Sequence, residues 1–356
     1  MTIEQGPTEH EASKQSERLL PGHKLLLAGP GNLLPFSLAK EKSLFREEII
    51  FDEHLMQSIF MEWYSIYNLF INLVNKDNII VSKTDTTIGK SNEDSSINWE
   101  SIDLPEELSF DAIKIPFLSQ ASSCWPRDAY TLLDGEVLAN LFAWGAPPEG
   151  IKLSGLGEQG KVLVKNKSIL VTPDVWRKSK DEILGLTRNG FKVGCLPCVD
   201  TSKQSYKFTE LHIDGHSALI EDKNGTLVLL VTDSYSHQGH DTRKFIRQAA
   251  ETAEARMVEV DDRKLPPLAL NLIQFEDRSI AFTNSEARDL EVTLSELVGS
   301  DKIFTTEIPL IELPKHALGG MRCLTNILPP ALNNLLTKQD WPRDKRMPVD
   351  KANWRV

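Results

Sequence analysis

Four stretches of the chain repeat one pattern: a short apolar run, a polar turn, then a second apolar run. They are Tyr130–Leu133, Asp134-Gly135 and Val137–Phe142; Val162–Val164, Lys165-Asn166 and Ser168–Val171; Ser217–Ile220, Asn224-Gly225 and Leu227–Val231; Leu270–Phe275, Glu276-Asp277 and Ser279–Phe282. Short β-forming runs around turn residues predict β-hairpins. After each of the last three comes an amphipathic helix, over about Pro173–Arg188, Asp241–Arg256 and Ser285–Val298. A further short strand follows each helix: Lys192–Leu196, Met257–Val260 and Lys302–Thr305. The order β-β-α-β thus recurs three times behind a shortened copy. The last three turns lie about 58 and 53 residues apart, a spacing that predicts an internally repeated fold. Units set around one axis bring equivalent positions to the same end.

Upstream the pattern differs. Lys24–Ala28 reads as a strand closed by Gly29-Pro30-Gly31, whose glycines do not form a phosphate-binding fingerprint. From Glu47 to about Asn75, Ile50, Leu55, Ile59, Trp63, Ile66, Leu69 and Leu73 recur at helical spacing. Residues 84–103 are rich in Ser, Thr, Asn and Asp and read as a loop. The domain reading is a disordered segment 1–20, a single α/β domain 21–335, and a C-terminal tail 336–356. Within the domain, 21–105 is a divergent N-terminal part, and 110–330 bears the motifs.

The 356 residues are 40% hydrophobic and 26% charged, as expected of a globular protein with a sizeable core. The net charge of −11 argues against nucleic acid or an anionic membrane as partner, since both select a basic face. It permits a cationic ligand. The N-terminus lacks the basic and apolar regions of a signal peptide, and no long apolar run occurs, so a cytoplasmic protein is expected. Cys195-Leu196-Pro197-Cys198 has no second half at zinc-finger spacing and reads as two strand cysteines beside a proline.

Candidate chemistry starts from Gly319-Gly320-Met321-Arg322-Cys323-Leu324-Thr325-Asn326. A thiol after two glycines has room for backbone and substrate to approach. Trp125-Pro126-Arg127-Asp128, Glu158-Gln159-Gly160 and His212-Ile213-Asp214 lie upstream. Asp128, Glu158, His212 and Cys323 each fall where the first strand of a hairpin begins, so a ring of units brings them to one mouth. His212 and Asp214 are two apart, which on a strand turns both to one face.

This set, in this order, resembles the guanidino-group-modifying enzymes, the pentein superfamily. It includes arginine and agmatine deiminases, dimethylarginine dimethylaminohydrolase and the amidinotransferases. The resemblance covers roughly residues 110–330. It implies a five-bladed pseudo-symmetric α/β propeller of ββαβ units, with Cys323 as nucleophile and His212 as acid/base. It also implies that Asp128, Glu158 and Asp214 hold the guanidinium, without metal or cofactor. The family segment E-G-G-D reads Glu158-Gln159-Gly160-Lys161 here. A second W-P-R-D, Trp341–Asp344, lies in the tail.

A guanidinium spreads its charge over three nitrogens and is a poor electrophile, so carboxylates must fix its carbon before a thiolate. Arg127 and Arg322 are candidates for a substrate carboxylate. The expected function is a cysteine-dependent hydrolase of the deiminase type, acting on arginine or an arginine-like small molecule. The alternatives are an amidinotransferase, which passes the amidino group to an amine, and a non-catalytic propeller binding module. A homo-oligomer is compatible with the sequence.

Overall fold

The computed structural model describes residues 18–29, 53–83, 112–114, 126–140, 151–199, 212–285, 288–316, 319–333 and 337–338. The segment 1–17, the expected loop at 84–103, Trp125 and Trp341–Asp344 lie outside the described residues. Arg18 and Leu19, at the edge of the segment expected to be disordered, are buried. Arg18 Nη1 donates to the Leu73 carbonyl at 2.6 Å, and its Nε lies 3.4 Å from the Asp277 carboxylate.

The chain begins with β1 (Lys24–Ala28), α1 (Glu53–Val74), β2 (Ile79–Lys83) and β3 (Ala112–Lys114). The helical stripe read from the sequence buries Trp63, Ile66 and Leu73 completely, and Phe70 is buried with them. Each contributes about 1.5–3 kcal/mol by leaving water. The indole N–H of Trp63 donates to the Ala28 carbonyl at 2.8 Å, which ties α1 to β1.

Four hairpin units follow. The first is β4 (Tyr130–Leu133), β5 (Glu136–Asn140) and β6 (Lys152–Ser154). The second is β7 (Val162–Lys165), β8 (Ser168–Val171), α2 (Pro173–Lys178), α3 (Lys180–Arg188) and β9 (Lys192–Cys195). The third is β10 (Ser217–Glu221), β11 (Leu227–Thr232), α4 (Thr242–Thr252) and β12 (Arg256–Val260). The fourth is β13 (Ile273–Gln274), β14 (Ile280–Phe282), α5 (Arg288–Val298) and β15 (Ile303–Thr305). The chain then runs through α6 (Glu312–His316), β16 (Thr325–Leu328) and β17 (Thr337–Lys338). In each unit the hairpin strands pair antiparallel and the third strand lies parallel to the second. Asp134 and Gly135, at φ 52° and 81°, supply the left-handed pair a tight hairpin turn requires.

Two elements differ from expectation. The helix over Pro173–Arg188 breaks at Ser179 into α2 and α3. The first strand of the fourth hairpin is only two residues long, because Asn271 N–H closes a turn onto the Leu268 carbonyl.

The fifth sheet has the order β16-β1-β2-β3-β17. β16 runs antiparallel to β1, and β1 parallel to β2. With α1 between β1 and β2, this is the β-β-α-β order again, assembled from both ends of the chain. The divergent N-terminal part is therefore the larger share of a fifth unit, completed by β16. Thr337-Lys338, from the expected tail, pairs with β3.

The molecule has a mixed α/β fold of five small sheets. Five apolar clusters join them in sequence. One holds Leu26, Ile80 and Leu328 with Tyr130 and Ala139. The next holds Leu133 and Leu138 with Val162, Ile169 and Val171. A third joins Leu163 and Leu170 to Leu219 and Leu229. A fourth joins Ile220 and Val228 to Ile280 and Phe282. A fifth joins Ile273 and Ala281 to Leu25, Leu27 and α1. Each sheet thus packs on the one before and the one after it, since alternate residues of a strand face opposite sides. Among the described residues no helix is long and apolar enough to cross a membrane.

Candidate active site

Every sheet delivers one polar segment immediately before its first hairpin strand. Asp128 ends a short 3-10 turn two residues ahead of β4, and Glu158–Gly160 form the turn ahead of β7. His212–Asp214 precede β10, Asn271 lies two residues ahead of β13, and Cys323 two ahead of β16. His212 and Asp214 were expected on a strand. They lie in the loop ahead of the strand instead, His212 before a turn and Asp214 on it, held by Ile213 N–H donating to the Gly160 carbonyl at 2.8 Å and His216 N–H to the Ile213 carbonyl at 3.1 Å.

The Glu158–Gly160 turn is the hub of one half of the site. The Gly160 N–H donates to Asp128 Oδ1 at 2.9 Å. A side chain at this position would meet His212 Nδ1 at 2.3 Å and Asp128 Oδ1 at 2.9 Å, so only glycine lets the backbone pass between them. His212 Nε2 lies 3.2 Å from Glu158 Oε1. Glu158 Oε2 takes an ion pair from Lys161 at 3.0 Å, and Lys161 also reaches Asp174 at 3.6 Å. Both oxygens of Glu158 are therefore engaged.

The other half is built around the thiol. Cys323 is buried rather than open, and Asp214 is 1% exposed. Cys323 Sγ lies 3.5 Å from Asp214 Oδ2. Asn271 Nδ2 donates to Asp214 Oδ2 at 3.0 Å and to Cys323 Sγ at 3.2 Å, while Oδ1 accepts the Cys323 N–H at 3.0 Å. A side chain on Gly320 would sit 2.7 Å from Asn271 Oδ1. That glycine makes room for an asparagine of the protein, where the sequence suggested room for substrate.

The two arginines divide. Arg127 donates from Nη1 to Gln159 Oε1 at 2.8 Å and from Nε to the Arg322 carbonyl at 3.3 Å. It clamps the Glu158 turn to the Cys323 loop. Gln159 continues the clamp by donating to the Tyr130 carbonyl at 2.8 Å. Arg322 is 9% exposed, and its guanidinium has no hydrogen bond or ion pair among the described residues.

The charges interact strongly. Burial pushes the His212 imidazolium down, but Asp128, then Glu158 and Asp214, outweigh it and raise the ring to about 9. Burial, with Asp214 and Glu158 nearby, raises the Asp128 carboxyl to about 6 against the pull of His212. Burial raises the Cys323 thiol well above its ordinary value, and Asp214 and Asp128 add to this. Burial and the neighbouring Arg322 lower Arg127 to about 9. Burial raises Glu158, but His212 and Lys161 hold it below the ordinary range.

A pH dependence follows for His212. A basic group with a raised folded pKa stabilises the fold fully below its ordinary value, near ~6.5, and loses that contribution as pH rises through the folded one. The native chain is therefore expected to melt above His212→Gln at pH 6, with the gap shrinking as pH rises toward about 9. Thermal unfolding of both proteins across this range checks it; a gap that widens with pH is the contrary result.

No protein-family model matches the chain, and no curated protein sequence matches it. Solved structures do. The agmatine deiminase of C. jejuni superposes with a TM-score of 0.51 at 12% identity, covering 88% of this chain and 94% of that one. A dimethylarginine dimethylaminohydrolase from Pseudomonas aeruginosa, complexed with citrulline, gives 0.49 at 8% identity, covering 86% and 98%. An amidinotransferase from Microseira wollei gives 0.47 at 10% identity, covering 85% and 93%. The fold is that of the pentein enzymes.

Within the pentein fold, the departure at Glu158–Lys161 has a local explanation. Gln159, where a glycine is usual, is the partner of Arg127. Lys161, where an acid is usual, neutralises Glu158. All seven candidate residues read from the sequence lie in or beside the one cluster. Sequence reasoning missed Asn271, Gln159 and Lys161. Asn271 had a signal: it interrupts the apolar run Leu270–Phe275 at the repeat position that carries Asp128 and Cys323 in other units. Cys195 ends β9 half-buried, while Cys198 follows it exposed, and both are free thiols. Among the described residues one group could hold a metal ion, Asp233, His237 and Glu259. It shares no residue with this cluster, and its Glu259 is ion-paired with Arg243.

Proposed function

We propose that the protein is a cysteine-dependent hydrolase of guanidino compounds, with arginine or an arginine-like small molecule as substrate. The observation that carries this is the assembly of a thiol, an acid-flanked histidine and two further carboxylates from four sheets in one cluster, buried at the thiol and half-buried at the histidine. The reading includes a five-bladed propeller and a single domain over 21–335. The cyclic order of shared cores supports both.

Asp128 and Asp214, the carboxylates whose charge Cys323 feels, bind the guanidinium N–H groups. Glu158, with both oxygens occupied, orients His212 and keeps it charged. The arriving cation offsets Asp214 and Asp128, so the thiol becomes easier to ionise. The thiol's proton is released, Sγ attacks the guanidinium carbon, and charged His212 gives its own proton to one amino group, becoming neutral. That group leaves as ammonia, and a positively charged thiouronium remains on Cys323. His212 then takes a proton from water, whose oxygen adds to the same carbon. The C–S bond breaks, returning the thiol, a urea and the charged His212. If an amine replaces water, the amidino group is transferred.

Arg322, buried beside Cys323 and with no guanidinium partner among the described residues, binds the substrate's carboxylate in this reading. Arginine, agmatine and methylated arginines are the informative panel, scored for ureido product and ammonia, with glycine or ornithine present as acceptors. Arginine is expected to exceed agmatine, and Arg322→Leu to raise KM for arginine about tenfold or more with little change for agmatine. Label moving to the added amine would replace hydrolysis by transfer. No product from any compound would leave the binding-module alternative.

A further inference from the structure

We infer that Asn271 is a catalytic residue of this centre, whose amide N–H groups bridge the Cys323 sulfur and the Asp214 carboxylate and receive the thiolate's charge. The inference rests on the proposed role of Cys323 as nucleophile, but its test needs no guanidino substrate. Asn271 is 2% exposed and reaches the loop of Cys323 from the neighbouring sheet. Its Oδ1 accepts the Cys323 N–H at 3.0 Å, which sets the amide's orientation. Turning the amide over would face Nδ2 toward that N–H and Oδ1 toward the carboxylate, two repulsive contacts. Nδ2 is therefore held 3.0 Å from Asp214 Oδ2 and 3.2 Å from Sγ.

The need for such a donor follows from the surroundings. The sulfur lies 3.5 Å from an almost fully buried carboxylate. Once the thiol ionises, two anions face each other away from water, where their repulsion is weakly screened. Asn271 is the neutral side chain that donates to both. The pair of N–H groups on one nitrogen suits it: one faces the sulfur, and the other is shared by the Asp214 carboxylate at 3.0 Å and the Asp214 carbonyl at 3.3 Å. Arg127 feels both Cys323 and Asp214 electrostatically, but its hydrogen bonds go to Gln159 and the Arg322 carbonyl.

Asn271→Asp separates this role from simple bracing. Aspartate has the same shape and still accepts the Cys323 N–H, but it cannot donate to the sulfur. The rate of Cys323 alkylation by iodoacetamide, followed by peptide mass, measures the thiolate fraction at a given pH. In Asn271→Asp this rate is expected to fall tenfold or more below the native rate across neutral pH, equivalent to a thiol pKa raised by about one unit. The double variant Asn271→Asp/Asp214→Asn exchanges the amide and the carboxylate around the sulfur. It restores a donor and is expected to recover most of the rate, which also guards against a single variant that folds poorly. Native-like alkylation in Asn271→Asp, or a double variant no faster than the single one, overturns the inference. Absence of guanidino turnover in the native protein would sink the proposed function and leave this result standing.

Discussion

Cys323→Ser is expected to abolish ureido product from any guanidino substrate, by at least ~10³-fold in kcat, while leaving the fold intact. The hydroxyl is close to the thiol in size, so the loop ahead of β16 keeps its shape. It can also keep the local bonds, donating to Asp214 and accepting from Asn271 Nδ2. What it lacks is a usable anion. Even the thiol is pushed well up by burial and two carboxylates. An alcohol, intrinsically far less acidic, does not ionise there. Asp128 and Asp214 remain, so substrate binding should survive. Steady-state rates with calorimetric binding of the same compound test both halves. Retained turnover in Cys323→Ser would remove the covalent mechanism.

Gly160→Ala should cost roughly 10²-fold in kcat/KM, an effect of displacing His212, the proposed acid/base, by about an ångström. The added methyl would meet the His212 ring at 2.3 Å and Asp128 Oδ1 at 2.9 Å. Both are ends of side chains, so the structure yields there while the backbone holds. The hydrogen bond from Gly160 N–H to Asp128 and the seat of the His212 ring are lost together. Gly157→Ala is the contrast. Its methyl would meet the backbone of Ala139 and Asn140 in β5 at 2.3–2.6 Å. That variant should lower the melting temperature markedly. Equal loss of stability in both variants would mean that Gly160 serves the fold rather than the site.

Most of the repeat was legible because its units are local. A hairpin needs only alternating apolar residues and a turn that tolerates positive φ, as at Asp134-Gly135 and Gly225. The fifth unit was not legible, since β16 and β1 lie at opposite ends of the chain and only their pairing shows they belong together. The break at Ser179 was hidden too, because Pro173–Arg188 keeps helical spacing across it.

The same division holds for the site. Sequence alone determined which residue types stand at the head of four of the five hairpins: Asp128, Glu158, His212 with Asp214, and Cys323, all chemically capable and all in register with the repeat. It could do so because position within a repeated unit is a local property. Only the tertiary structure decided what these residues touch. It buried the thiol that two glycines had suggested was open, and gave the space beside Gly320 to Asn271. Arg127 became a brace, while Arg322 finds no side-chain partner among the described residues. Lys161, an apparent defect in the acidic motif, became the counter-charge of Glu158. These outcomes depend on distances between side chains from different sheets, and on charges whose strength is set by burial. Neither quantity is carried by spacing along the chain.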